Sequence, residues 1–178
     1  MKRIELLPLG DIGRPQLEDL AKSLSRELRC TCEVLAGALD ISSSWNASRG
    51  QYHSTQILAR MGAQAPRSTN RLLGIADVDL YIPILTFVFG EAQLNGRLAV
   101  VSTHRLRQEF YGLPADDSLL RDRLLKEAVH ELGHTFGLTH CDDTECAMAP
   151  SHAVEWIDLK TSHFCSKCAA VLARAALP

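Results

Sequence analysis

Residues 130–140 read His-Glu-Leu-Gly-His-Thr-Phe-Gly-Leu-Thr-His, three imidazoles and one carboxylate at spacings that suit a single metal ion. His130 and His134 lie four residues apart, so on a helix they project from one face, a turn apart. Both rings can then reach one ion at Zn–N distances of roughly 2.0–2.1 Å. Glu131 falls about 100° further round the helix, beside the ion but outside its ligand shell. Gly137 accepts a left-handed backbone without a Cβ penalty, which ends the helix and lets His140 turn back toward the same ion. Three protein ligands leave one position open for water, the arrangement of a reactive zinc rather than a structural one. In such a site the ion lowers the pKa of water to about 7, and Glu131 is placed to take the proton as general base. An ordinary amphipathic helix could carry His130 and His134 alone; Gly137 and His140 at fixed offsets give every position of the run a role. Leu132, Phe136 and Leu138 are assigned to core packing.

Cysteine follows the third histidine directly. Cys141 and Cys146 form one close pair, Cys165 and Cys168 a second, which is the pattern of a tetrahedral four-thiolate zinc site. Disulfides are the competing assignment, and unmetallated core cysteines rank behind both. The chain opens Met-Lys-Arg-Ile-Glu without the apolar stretch of a secretory signal. A cytoplasmic location is therefore expected, and a reducing compartment keeps thiols available for metal. Two zinc ions per chain follow, one reactive and one structural.

These residues together resemble the archaemetzincins, a metzincin-clan family of zinc metallopeptidases. The motif is His-Glu-x-x-His-x-x-Gly-x-x-His-Cys, then Cys146-x-Met148, with the distal Cys165-x-x-Cys168, and it spans residues 130–168. Leu73–Tyr81 is a looser match to a segment upstream of the zinc helix. The resemblance implies a catalytic zinc on His130, His134 and His140, and a structural zinc on Cys141, Cys146, Cys165 and Cys168. It makes Met148 the Met-turn residue beneath the catalytic site; without the family, Met148 reads as an apolar packing residue. It also implies peptide or small-protein substrates paired along an edge strand, and permits an aminopeptidase preference for small peptides. One position departs: some metzincins carry a tyrosine two residues after that methionine, where this chain has Pro150.

At 178 residues the chain is expected to form one domain, with residues 1–140 holding the active-site helix and 141–178 a small subdomain stapled by the four cysteines. That segment has little to bury beyond Val154, Trp156, Ile157, Leu159 and Phe164, so metal binding would contribute directly to its folding. A net charge of −2 gives no basic stripe for nucleic acid. No apolar run approaches the ~18 residues of a membrane span. A zinc-dependent RNA-processing nuclease shares the histidine spacing but lacks the glutamate after the first histidine. A zinc-stabilised peptide-binding module without catalysis, or a latent enzyme, is the other alternative. The oligomeric state is not encoded in any pattern found here.

The elements that must position these groups alternate. Residues 2–8 read as a strand, 15–28 as a helix opening on Pro15, and 31–38 as a second strand. Asp40–Gly50 reads as a serine-rich loop, and 51–61 as a helix. Residues 72–82 form a third strand; 85–89 and 98–102 form a hairpin about Asn95-Gly96. Asp116 or Asp117 caps a long helix ending near Phe136, and a short helix closes the chain. The pattern predicts an α/β (α+β) fold, metzincin-like, with a mixed twisted sheet, backing helices and an active-site helix.

Weaker candidates complete the reading. The strand carrying Phe87, Val88, Phe89 and Gly90 is the candidate edge for extended peptide. Cys30 and Cys32 share a strand face and are assigned to packing. His53, His104, His152 and His163 lack ligand spacing to one another. Asp77 and Asp79 are candidates to orient a ligating imidazole from behind, against a default role as polar residues at a strand end.

Overall fold

The computed structural model describes residues 3–64 and 71–175. In chain order the elements are β1 (Arg3–Pro8), α1 (Arg14–Leu28), β2 (Thr31–Val34), β3 (Trp45–Asn46), β4 (Gln51–His53), α2 (Ser54–Gln64), β5 (Arg71–Ala76), β6 (Leu80–Tyr81), β7 (Gly90–Ala92), β8 (Leu98–Ser102), α3 (Asp117–Thr135), α4 (Val154–Leu159) and α5 (Ser166–Ala175). The main sheet runs β2-β1-β5-β8-β7. Its first four strands are parallel, and β7 lies antiparallel to β8 with Gly90 opposite Val101. A second sheet, β3-β4-β6, stands apart from it. The fold is the mixed α/β arrangement that the sequence pattern predicts.

The period-two alternation of the inner strands divides the core. Leu73, Ile75, Ala99 and Val101 face α1 and α3, joining Leu17, Leu24, Leu124, Val129 and Leu132 in one cluster. Leu72, Ala76, Leu98 and Val100 face the other way, onto Ile57, Leu58 and Met61 of α2. Such near-continuous apolar strands are what a parallel sheet covered on both faces requires.

Helix α3 starts where its cap dictates. The Asp116 carboxylate accepts from the Leu119 backbone N–H at 2.9 Å, satisfying a donor with no intrahelical partner. It ends in a Schellman turn: Leu138 N–H bonds Gly133 O, Gly137 N–H bonds His134 O, and Gly137 sits at φ +89°.

Several boundaries differ from the sequence reading. Residues 72–82 split into β5 and β6, separated by Asp77–Asp79. The helix expected from residue 51 gives its first three residues to β4, and the serine-rich stretch contains β3. The expected strand 85–89 is not one: only Val88 forms an isolated bridge, to Leu80, and the hairpin partner of β8 is β7. The reason is that the carbonyls of Leu85 and Thr86 accept from Arg49 Nη2 at 2.9 and 3.0 Å, and Gln51 Nε2 also donates to Thr86. These backbone groups are satisfied by side chains rather than by a neighbouring strand. Lys2 of the first expected strand lies outside the described residues.

Candidate active site

His130, Glu131 and His134 lie in the last two turns of α3; His130 and Glu131 are buried and His134 is half-buried at the cleft. His130 Nδ1 is 2.8 Å from Ala147 O, and His134 Nδ1 is 2.8 Å from Leu138 O. A carbonyl can only accept, so in each neutral ring Nδ1 carries the hydrogen and Nε2 a lone pair. The two Nε2 atoms face each other at 3.1 Å. Two lone pairs directed at one another repel unless a cation lies between them, and tetrahedral Zn–N bonds of ~2.05 Å place ligand nitrogens about 3.3 Å apart. His140 arrives from beyond the Schellman turn, its ring centroid 5.3 Å from His130 and 5.0 Å from His134. The ligand atoms of all three lie within 4.8 Å of one another. The donor set fits one divalent zinc.

Burial holds the rings of His130 and His134 below the ordinary histidine pKa, which keeps them neutral and ready to bind metal. Glu131 moves the other way: burial, with Glu127 nearby, holds its carboxyl well above the usual carboxylate range. A carboxylate of raised proton affinity is what a base working near neutral pH requires. Its side chain crosses the backbone of the edge strand at Gly90, where a Cβ would stand 2.7 Å from Glu131 Cγ.

Behind the histidines, Met148 lies fully buried under α3. The close approach depends on Gly133, where a Cβ would overlap Met148 Sδ and reach within 3.3 Å of Phe164. Gly133→Ala is therefore expected to destabilise the zinc-loaded protein by about 1–3 kcal/mol, read as a lower midpoint in thermal melts.

The four cysteines converge below this floor. Cys141 Sγ and Cys165 Sγ are 3.7 Å apart, close to the ~3.8 Å between sulfurs on one tetrahedral zinc, and all four Sγ atoms lie within 4.8 Å of one another. Backbone N–H groups of Met148 and Cys165 point at Cys146 Sγ. The Cys168 backbone N–H helps bring the Cys165 thiol down to about 7. No disulfide joins them.

Other candidates fall outside the site. Asp77 pairs with Arg107 and Thr103, and Asp79 with Arg105 and Gln51. Neither orients a ligand, because the nearer carbonyls of Ala147 and Leu138 already accept the His130 and His134 Nδ1 protons. Their default role holds, and it is useful: Arg105, fixed by Asp79, stacks on Phe87 at 4.2 Å in the cleft wall. The side chains of Cys30 and Cys32 pack beside the main core with their sulfurs 3.5 Å apart. His163 pairs with Glu27.

A cleft of about 630 Å³ opens over the histidines. Its lining includes Glu131, His134 and His140, together with Glu91 of β7, Glu127 and His152. The sequence reading gives Glu91 and Glu127 no role and sets His152 aside for want of ligand spacing. Glu127 alone had a signal, lying four residues before Glu131 on the same helix face.

A family model described as Peptidase family M54 matches residues 46–174. The chain is 43% identical over 167 residues to an archaemetzincin of Methanocaldococcus jannaschii, covering 93% of this chain and 90% of that protein. Its fold is similar to the crystal structure of archaemetzincin from Archaeoglobus fulgidus in complex with malonate, with a TM-score of 0.82 and 40% identity over 95% of this chain and 99% of the other. A zinc-dependent peptidase from Methanocorpusculum labreanum gives a TM-score of 0.85 at 32% identity, again over 95% and 99%. Among the described residues no helix is long and apolar enough to cross a membrane. Motif, fold and relatives agree: this chain is a zinc metallopeptidase and belongs to peptidase family M54, the archaemetzincins.

Proposed function

We propose that His130, His134 and His140 hold the catalytic zinc of this peptidase, that Glu131 is its general base, and that Cys141, Cys146, Cys165 and Cys168 hold a second, structural zinc over which Met148 forms the floor. The observation that carries this reading is the pair of Nε2 lone pairs aimed at each other at 3.1 Å, with a buried carboxylate of high proton affinity alongside. Zinc bound there supplies Lewis-acid activation of water and of the scissile carbonyl. Glu131 takes the proton released by the attacking water and delivers it to the departing amine.

The substrate lies along β7. This strand is the edge of the main sheet that borders the cleft, and an edge strand can receive an extended peptide through its outer backbone groups. The edge sits at Gly90–Ala92, with Phe87–Phe89 forming the adjoining wall. We further assign a preference for small peptides with a free N-terminus. Glu91, on this strand and in the cleft lining, is the carboxylate suited to a terminal ammonium. Its oxygens are held in place by the hydroxyls of Ser54 and Thr55.

Mass-spectrometric profiling of a mixed peptide library, with zinc-loaded wild type beside Glu131→Ala, tests the reading. Cleavage confined to wild type is expected, with losses of single residues from the N-terminus. Internal cuts would replace the aminopeptidase assignment with an endopeptidase. Absence of cleavage with two zincs bound would favour a peptide-binding module.

A further inference from the structure

Among the described residues Lys160 is the largest fully buried side chain, with 0% of its side chain exposed. It stands at the C-terminal end of α4, and its Nζ reaches two other parts of the chain. It lies 2.7 Å from Glu127 Oε1 of α3, an ionic contact rather than an aligned hydrogen bond. It also donates to Ala149 O at 3.3 Å.

Both partners border the metal centre. Glu127 is three residues before His130 and lines the cleft. Ala149 adjoins Met148 and lies two residues beyond Ala147, whose carbonyl takes the His130 Nδ1 hydrogen. Burying an ion pair carries a desolvation cost of several kcal/mol per charge, and apolar residues of similar volume are often as stable or more so. Stability alone does not account for a lysine in this place.

The two ligating rings on α3 are oriented by different means. His134 leans on Leu138, four residues away and fixed by the Schellman turn of its own helix. His130 depends on Ala147, 17 residues away and on a separate segment. Backbone bonds from Cys141 N–H to Met148 O and from Ala147 N–H to His163 O hold that segment to neighbouring loops. Against α3 it has Met148 packed on Gly133, an apolar contact that resists separation but not sliding. A directional bond to Ala149 O combined with a charge contact to Glu127 removes the freedom to slide.

We propose that Lys160 is a positioning residue for the catalytic metal: by tying Ala149 to Glu127 it fixes the Ala147–Ala149 segment against α3 and so fixes the ring of His130. This rests on the assignment of His130 as a zinc ligand. Groups that orient ligating histidines typically account for 10–100-fold in metal affinity, and Lys160 acts one contact further back.

The test uses Co(II) as probe, titrated into full-length protein whose cysteine site already holds zinc. Wild type is compared with Lys160→Met, the double variant Glu127→Met/Lys160→Met, and His130→Ala. Lys160→Met leaves Glu127 buried without a partner and is expected to melt early. The double variant removes both charges and is expected to recover a midpoint near that of wild type. Both are nevertheless expected to bind Co(II) at the histidines about 10-fold or more weakly, with altered visible absorption bands. A double variant with wild-type melting, Co(II) affinity and spectrum would overturn the proposal, leaving the pair as a structural staple. A wild-type titration indistinguishable from that of His130→Ala would instead overturn the ligand assignment beneath it.

Discussion

Glu131→Gln is expected to lose about 10²–10⁴-fold in kcat, the usual contribution of a positioned acid–base group, while keeping its fold and its zinc. Glutamine matches the carboxylic acid in shape, so the contact with Gly90 and the packing on β7 survive. The amide cannot accept the proton from water, and nothing else in the cleft lining stands in the same place between the two α3 histidines. Stability should respond in the opposite sense. The folded carboxyl has a proton affinity above that of the unfolded chain, so the folded state binds more protons and loses stability as pH rises past the unfolded value of about 4.3. Removing that group should raise the melting midpoint of the metal-free protein at pH 8 more than at pH 5. Steady-state rates on a cleaved peptide, zinc content by mass spectrometry and melts at the two pH values check each part. Wild-type turnover in this variant would remove Glu131 from the mechanism.

The second large effect belongs to the cysteines. Cys165→Ser is expected to cost several kcal/mol, which for a chain of this size lowers the midpoint by roughly 10 °C or more. The reason is the poverty of the core below α3. Leu138, Cys146, Met148 and Cys168 form its small buried cluster, with Val154 and Ile157 packing upward into the main core. Trp156 and Leu159, apolar in sequence, are 50% and 71% exposed. Structural zinc in small sites contributes about 10–16 kcal/mol of apparent binding energy to folding, and part of that is lost with one thiolate. Cys141 directly follows His140, so catalytic metal occupancy should fall as well. Differential scanning calorimetry and native mass spectrometry measure both. An unchanged midpoint with two zincs retained would show that the four sulfurs do not act together.

The side chains proposed to bind metal were readable because their spacing carries the geometry. Four-residue separation places His130 and His134 on one helix face, and Gly137 states where the helix must stop. The alternation of strand-like and helix-like segments likewise gave the mixed α/β class. The edge strand was displaced, since Phe87-Val88-Phe89 has strand composition while its neighbouring carbonyls are claimed by Arg49 and Gln51, more than 30 residues earlier. Strand preference is set by such surroundings more than by the residues themselves. Asp77 and Asp79 sat at the right place in the chain for a supporting role but found arginines first. Lys160 left no trace: a lone lysine near a helix end reads as surface, and its partner Glu127 is 33 positions away.

The shortness of β7 has a consequence for solubility. A sheet that must keep one border open for visiting chains also offers that border to other copies of itself, the route by which exposed edges nucleate aggregates. Here the border proposed to receive substrate is three residues long, starts with a glycine and carries Glu91. A passing peptide needs only a few backbone contacts to dwell there, whereas a stable intermolecular sheet needs a longer, flatter run. The same brevity that favours brief occupancy protects the protein from its own kind.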